Sequence, residues 1–126
     1  MDKIADVNIL VVDDEQELRD LVCEYLEKKG FQTSRASSGN SAIELMKEAK
    51  VDVIISDVRM ADGTGVELLS YVKSNKSEIP FFFMTGFSEI SEERLLSNGA
   101  SALFVKPIDR KQIYTTICKH LKLEDA

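Results

Sequence analysis

Charged and hydroxyl side chains stand at the ends of four short apolar runs in this sequence. They are Asp13 and Asp14, Asp57, Thr85 and Lys106. Three carboxylates brought together repel one another unless a cation joins them, and a ligand set made only of oxygen suits Mg²⁺. A lysine ammonium and a threonine hydroxyl nearby could hold further oxygens of a phosphoryl group. These residue types therefore favour phosphoryl transfer, with an aspartate available as the acceptor.

The apolar runs that precede these residues have the length of buried strands. Strands are predicted over residues 8–12, 31–36, 51–57, 80–84 and 102–105. After each run the apolar residues recur at helical spacing, and the first such stripe consists of Leu18, Leu21, Val22, Tyr25 and Leu26. Further helices are predicted around residues 42–49, 66–72, 89–98 and 110–121. Asp109 could cap the last of them.

Five strands that alternate with five helices predict an α/β fold. The connections imply a doubly wound parallel sheet of the flavodoxin-like type, with strand order 2-1-3-4-5 and helices on both faces. A closed barrel of eight such units needs about twice this length. Ligands of such a sheet bind beyond the carboxyl ends of its strands, so the polar residues that follow the strands should share one edge.

Length and composition limit the possible functions. The chain has 126 residues and a formal charge of −6, from 16 Lys+Arg and 22 Asp+Glu, and 44% of its residues are hydrophobic. From this length and composition we expect one domain over residues 1–126, with a core from about 7 to 122 and no further domain after it. The acidic balance disfavours nucleic-acid binding, because phosphate contacts need clustered Lys and Arg. No apolar run is long enough to span a membrane, and the N-terminus lacks the features of a signal peptide.

The cysteines and the single histidine suggest no further site. Cys23 and Cys118 lie far apart without metal-type spacing, so we expect half-buried packing residues rather than a disulfide or a zinc site. His120 should lie on the surface near the end of the last helix, where a positive charge is favourable. A Ser-His-Asp enzyme would have to depend on this one histidine.

Four motifs resemble those of response-regulator receiver domains. They are Val11-Val12-Asp13-Asp14-Glu15, Ser56-Asp57-Val58-Arg59-Met60 followed by Gly63, Met84-Thr85-Gly86, and Phe104-Val105-Lys106-Pro107. Each motif alone is weak evidence, and each residue in it has an ordinary structural explanation. Their order, and their positions at successive strand ends, make the combined resemblance specific. It covers about residues 7–122.

The resemblance implies a phosphoacceptor and a metal site. Asp57 would take a phosphoryl group from the phosphohistidine of a histidine kinase or phosphotransfer protein. Asp14, Asp57 and the backbone carbonyl of Arg59 would ligate Mg²⁺, with Asp13 contributing directly or through water. The chain would not be an enzyme beyond catalysing its own phosphorylation and dephosphorylation. A cytoplasmic location is implied as well.

The resemblance also implies a switch. Lys106 would pair with the phosphoryl group, and Pro107 would follow a cis peptide bond. Thr85 and Phe104 would respond together, the hydroxyl moving toward the phosphoryl group and the ring turning inward. Phe104 replaces the tyrosine of many members, which removes any hydroxyl contact with a partner. Ala61 stands where the family often has proline, a change that affects the stiffness of the loop.

Two alternative functions would require a different sequence in the loop that follows the first strand. A flavodoxin-type FMN carrier needs a Ser/Thr/Gly-rich loop there, whereas Asp13-Asp14-Glu15 would repel a phosphate without a metal. A dehalogenase-like phosphatase needs a D-x-D pattern there and room for a substrate cap, and neither is present. A receiver-like adaptor that works without phosphorylation stays an alternative.

The surface that reports phosphorylation is predicted to lie in the last third of the chain. The helix over residues 89–98 is the least apolar of the five, which suits an element that changes position. We therefore expect the face over residues 88–121 to contact a downstream protein or a second copy, with no direct contact to nucleic acid or membrane. The sequence identifies neither the kinase nor the output pathway, and a stand-alone regulator and a receiver cut from a longer chain fit equally well.

Overall fold

A computed structural model describes residues 3–75, 78–86 and 92–123. The strands are β1 (Asn8–Val12), β2 (Gln32–Ala36), β3 (Val53–Asp57), β4 (Phe81–Thr85) and β5 (Ala102–Val105). The helices are α1 (Gln16–Lys28), α2 (Gly39–Glu48), α3 (Gly65–Ser74), α4 (Glu92–Ser97) and α5 (Arg110–Leu121). The part of the predicted fourth helix that precedes residue 92 lies outside the described residues.

All four pairings in the sheet are parallel, in the order β2-β1-β3-β4-β5. This confirms the predicted fold class and strand order, and it places β2 at an edge of the sheet. β3 lies at the centre of the sheet, where its residues Ile54 to Ser56 pair with β1 on one side and with β4 on the other and are wholly buried. The strand order reverses between β1 and β3, because β2 is added on one side of β1 and β3 on the other, and the carboxyl ends of β1 and β3 therefore form the switch point of the sheet.

Two hydrophobic cores lie on opposite faces of the sheet, because alternate residues of each strand point to opposite sides. On one face, Phe82 and Phe104 pack with α1 and α5. On the other face, Phe81 and Phe83 pack with α2 and α3. The run of three phenylalanines in β4 therefore contributes to both cores, which explains why it shows no alternation in hydrophobicity. Among the described residues, no helix has the length and apolar character needed to cross a membrane.

Side-chain caps fix the residues at which three of the helices begin. Ser38 and Thr64 form capping boxes at the starts of α2 and α3, and the Asp109 carboxylate accepts hydrogen bonds from the first turn of α5, as predicted. Gly30 follows α1 with φ of 104°, a conformation that glycine adopts without a steric penalty.

The predicted inner face of α1 is wrong at Leu21. The side chain of Leu21 is 48% exposed, whereas Cys23 is fully buried with Val22 and Leu26. Positions 21 and 23 are separated by about 200° around a helix, so they cannot share a face. The stripe through Leu21 and the stripe through Cys23 both contain Val22 and Leu26, and the sequence alone did not distinguish them.

Both cysteines are more buried than the half-buried positions predicted for them. Cys23 is inaccessible and Cys118 is 5% exposed, and both lie in the core between the sheet and helices α1 and α5, where neither forms a disulfide with another described residue. Burial raises the pKa of the Cys23 thiol to about 11, which makes it inert. His120 is exposed as predicted, and its ring also packs perpendicular to that of buried Phe82, with 5.1 Å between ring centroids.

Candidate functional site

The carboxyl ends of the central strands stand level with one another. Val12 pairs with Ser56 and Asp57 pairs with Met84 in the parallel registers, and the Lys106 amide donates to the Thr85 carbonyl at 2.7 Å. The residues at the carboxyl ends of these strands, and those that directly follow them, therefore lie at the same edge of the sheet. As predicted, this edge brings together Asp13, Asp14 and Asp57, whose carboxylate oxygens lie within 4.8 Å of one another.

Asp13 is the buried member of the acidic cluster, with none of its surface accessible. Its Oδ1 accepts a hydrogen bond from the Glu15 amide at 2.9 Å, whereas its Oδ2 has no hydrogen-bond partner among the residues that the structure describes. Burial, opposed by the Glu15 hydrogen bond and reinforced by the charge of Asp57, raises the pKa of Asp13 to about 6. A buried carboxylate oxygen without a partner is costly, so this oxygen is suited to receive a cation.

Asp57 ends β3 and forms an ion pair with Lys106. Its Oδ2 lies 3.2 Å from the ammonium nitrogen of Lys106, which is also 4.0 Å from Oδ2 of Asp13. Burial lowers the pKa of the Lys106 ammonium, but the negative charges of Asp57 and Asp13 outweigh that effect, so its pKa is raised. The lysine stays charged and faces two carboxylates. The peptide bond that follows it, to Pro107, is cis, as predicted.

The donor set fits a hard divalent cation. The three clustered carboxylates, among them Asp13 with its buried Oδ2, offer only oxygen ligands, which Mg²⁺ prefers. Asp14 is exposed, and with Arg59 it lines an open cavity of about 510 Å³ beside the cluster. The rest of the cavity lining is supplied by Val58, Met60, Ala61, Thr64 and Val66. A metal held here would remain accessible to water and to a phosphorylated partner.

Thr85 and Phe104 lie on neighbouring strands beside the cluster. The side chain of Thr85 is buried, and its hydroxyl donates to the Gly86 carbonyl at 3.3 Å. The ring of Phe104 is buried as well, with its centroid 5.7 Å from that of Phe82. The inward ring position that the resemblance associated with switching is therefore the one this structure contains. The switch roles of both residues stay predictions.

Comparison with known proteins identifies the fold family. The model of the response regulator receiver domain matches residues 9–118. The chain belongs to the response regulator receiver domain family. Receiver domains act in two-component signalling, where they interact with histidine kinases or phosphotransfer proteins, and the fold and acidic cluster described above agree with that assignment.

Relatives of this receiver domain differ in total length. Sporulation initiation phosphotransferase F of Bacillus subtilis is 32% identical over 119 residues, which cover 92% of this chain and 94% of that protein. Regulatory protein AtoC of Escherichia coli is 29% identical over 117 residues, but the match spans only 25% of its length. The crystal structure of the receiver domain of NtrX from Brucella abortus has a TM-score of 0.83 and 26% identity, covering 90% of this chain and 98% of that one.

Arg19 is a residue of the receiver site that the sequence analysis missed. Its guanidinium Nη1 donates to the backbone carbonyl of Asp13 at 2.8 Å, and its buried Nε has no hydrogen-bond partner in the described part of the chain. The contact ties the first turns of α1 to the loop that carries the acidic pair. The only sequence signal for Arg19 is its position four residues before Cys23, which places it on the same side of α1. The predicted inner face, which ran through Leu21, did not include that side.

Proposed function

We propose that Asp57 accepts a phosphoryl group from the phosphohistidine of a histidine kinase or phosphotransfer protein, and that the bound group switches a protein-contact surface. The observation that carries this proposal is the position of the Asp57 carboxylate. It lies 3.2 Å from the Lys106 ammonium and within the 4.8 Å cluster that also contains Asp13 and Asp14. Nucleophile, cation and candidate metal ligands thus share one strand-end site, as phosphoryl transfer requires.

The chemistry assigned to each residue follows from its contacts. A carboxylate oxygen of Asp57 attacks phosphorus, the phosphorus–nitrogen bond of the donor breaks, and the electron pair of that bond leaves with the imidazole. Lys106 then transfers its pairing from the Asp57 carboxylate to a phosphoryl oxygen, which requires little movement. Thr85 donates its hydroxyl to another phosphoryl oxygen. Phe104, whose ring is already buried against Phe82, is the proposed partner of Thr85 in the switch.

Mg²⁺ is the cofactor we propose for this site. The residues that would hold it are Asp13, Asp14, Asp57 and the backbone carbonyl of Arg59. When bound, the ion neutralises carboxylate charge and the charge that develops on the transferring oxygens. Asp13 would gain most from the ion, because its buried Oδ2 lacks a hydrogen bond to any described residue.

Several broader features belong to the same proposal. Residues 7–122 act as one receiver unit in the cytoplasm, with catalysis limited to the unit's own phosphorylation and dephosphorylation. Output passes through the face over residues 88–121 to a downstream protein or to a second copy. Leu96 and Val105 support this face, because their side chains are 45% and 54% exposed although both are large and apolar.

Intact-mass measurement tests the proposal. Incubation with Mg²⁺ and phosphoramidate, a small donor with the phosphorus–nitrogen bond of phosphohistidine, should add one phosphoryl group of about 80 Da. Asp57→Asn should remove the gain, and Asp109→Asn, which retains the helix cap, should not. A gain that persists in Asp57→Asn, or is absent from the wild-type chain, contradicts the proposal. The latter result favours the phosphorylation-independent adaptor.

A further inference from the structure

Residues at the start of α2 form hydrogen bonds with the loop between β3 and α3. The Gly39 amide donates to the Gly63 carbonyl at 2.8 Å, and the Asn40 amide donates to the Asp62 carbonyl at 3.2 Å. The side-chain amide of Asn40 donates to Oδ1 of Asp62 at 2.9 Å, and the Ser38 hydroxyl donates to Oδ2 at 3.3 Å. We call these four hydrogen bonds the α2 clamp.

The clamp requires an unusually close approach of two backbones. A Cβ atom at Gly39 would stand 2.6 Å from the Gly63 carbonyl oxygen, and one at Gly63 would stand 2.7 Å from the Asn40 nitrogen. Asp62 has φ of 57° and Gly63 has φ of 96°, so the loop turns through the left-handed region twice in succession. Asp and Asn tolerate that region better than other residues with side chains, because they can form local hydrogen bonds there.

The same loop carries the backbone carbonyl proposed as a metal ligand, that of Arg59. The Gly65 amide closes the base of the loop on the Val58 carbonyl at 3.0 Å. Beyond that base, the cavity of about 510 Å³ occupies one side of the loop, where Met60 and Ala61 line it. The α2 clamp holds the loop at its tip, so it restricts the directions in which the Arg59 carbonyl can point.

From this arrangement we propose that Asn40 and Asp62 are positioning residues for the metal site. Neither belongs to the acidic cluster, and Asn40 lies in a part of the sequence that the four family motifs do not include. By fixing the loop before any ion arrives, the clamp reduces the ordering that ion binding would otherwise require. The inference depends on the proposed function only in taking the Arg59 carbonyl as a ligand.

The test measures Mg²⁺ affinity by isothermal titration calorimetry, since the chain has no tryptophan to report binding by fluorescence. Asn40→Ala removes one donor at an exposed helical position, so it should weaken Mg²⁺ binding about two- to tenfold, the effect of one hydrogen bond. Amide exchange over residues 58–64 of the metal-free protein should accelerate as well. Lys47→Ala is the control, because it breaks only an exposed ion pair with Glu44 on the same helix.

A charge exchange distinguishes positioning from simple electrostatics. Asn40→Asp sets a carboxylate against Asp62, which should open the clamp and weaken Mg²⁺ binding, whereas an added negative charge alone would strengthen it. Adding Asp62→Asn restores an amide–carboxylate pair with the roles reversed, keeps the net charge of the wild-type chain, and should recover affinity. The unfolding temperatures of Asn40→Asp and of the double variant should stay close to that of the wild-type chain, since an acidic residue in the first turn of a helix is favourable.

The outcomes separate this inference from the proposed function. The positioning role is overturned if Asn40→Ala binds Mg²⁺ with wild-type affinity and shows wild-type amide exchange in the loop. It is also overturned if the double variant does not recover the Mg²⁺ affinity that Asn40→Asp loses. Loss of stability with unchanged Mg²⁺ affinity does the same, because the clamp would then serve only folding. If the wild-type chain itself binds no Mg²⁺, the proposed metal site fails, and loop exchange in the metal-free variants still decides whether the clamp orders the loop.

Discussion

At the scale of single residues, Asp13 carries the largest electrostatic cost in the molecule's acidic cluster. Its carboxylate is buried, and within residues 3–75, 78–86 and 92–123 one of its oxygens has no hydrogen-bond partner. Lys106, at 4.0 Å, offsets only part of that cost because its closer contact is with Asp57. The site is therefore strained by charge before a cation binds, which is common where function rather than stability determines the residue type.

This strain predicts how stability depends on pH. The pKa of Asp13 is about 6 in the folded chain, above its ordinary value of 3.8. The folded state therefore retains a proton that the unfolded state has lost between these values, and the contribution of Asp13 to stability declines as the pH rises through this window. Without Mg²⁺, Asp13→Asn should be more stable than the wild-type chain at pH 7.5, by up to about 3 kcal/mol.

Urea denaturation at several pH values measures this difference. The advantage of Asp13→Asn should shrink toward zero near pH 4, where the wild-type carboxyl is also neutral. Saturating Mg²⁺ at pH 7.5 should reduce or reverse it, since only the wild-type chain then offers the ion a full charge. Asp109→Asn, at an exposed helix cap, controls for the removal of one carboxyl group. A difference that does not vary with pH would contradict the account of Asp13.

At the scale of elements, the start of α3 is packed directly against the end of β3. A Cβ atom at Gly65 would stand 2.1 Å from the Asp57 carbonyl oxygen and 3.0 Å from the ring of Phe83. Gly65→Ala should therefore lower the free energy of unfolding by about 1–3 kcal/mol or more, because backbone has to move. Gly86→Ala is the matched control, since no atom of the described residues lies within 4 Å of a Cβ there.

Urea denaturation of the two glycine variants makes this comparison. Gly65→Ala should also slow phosphorylation in the mass assay, because the shift it forces displaces the residue that precedes the loop. Equal stability of Gly65→Ala and Gly86→Ala would mean that the close approach between α3 and β3 has no energetic importance.

α4 is the element best suited to move. Among its described residues only Leu95 is buried, whereas Leu96 is 45% exposed. Few buried anchors imply a small free-energy difference between alternative positions. With the phosphoryl mimic beryllofluoride and Mg²⁺, hydrogen exchange should change over residues 92–97 and 102–105, while β2, at the opposite edge, should stay unchanged. A change confined to residues 57–63 would contradict the proposed output face.

At the scale of the whole molecule, Mg²⁺ binding should stabilise the fold by mass action. An ion that binds only the folded state at 100 times its dissociation constant adds about 2.7 kcal/mol, which corresponds to several degrees in a domain of this size. Asp14→Asn removes one carboxylate ligand and should lose most of that increase, whereas Asp109→Asn should keep it. Calorimetry in MgCl₂ and in excess chelator measures both. An unchanged wild-type unfolding temperature at saturating Mg²⁺ would argue against the metal site.

The molecule also illustrates what its sequence can predict. The sequence correctly predicted that Asp13, Asp57 and Lys106 meet at one edge of the sheet, because parallel strands end at one edge and apolar runs mark where strands end. The site roles of Thr85 and Phe104 stay predictions. The inner face of α1 was not predicted correctly, because Leu21 and Cys23 fit two overlapping stripes. The Asn40–Asp62 contact was out of reach as well, since it depends on a left-handed backbone conformation and on two glycines that allow close approach.

The central claim is that Asp57 is the residue that carries the phosphoryl group. Borohydride reduces an aspartyl phosphate to homoserine, so reduction after phosphoramidate treatment, followed by peptide sequencing in a mass spectrometer, marks the acceptor covalently. The account predicts homoserine at position 57 and at no other aspartate. Homoserine at Asp13 or Asp14 instead, or none in a chain that has gained the mass of a phosphoryl group, would contradict it.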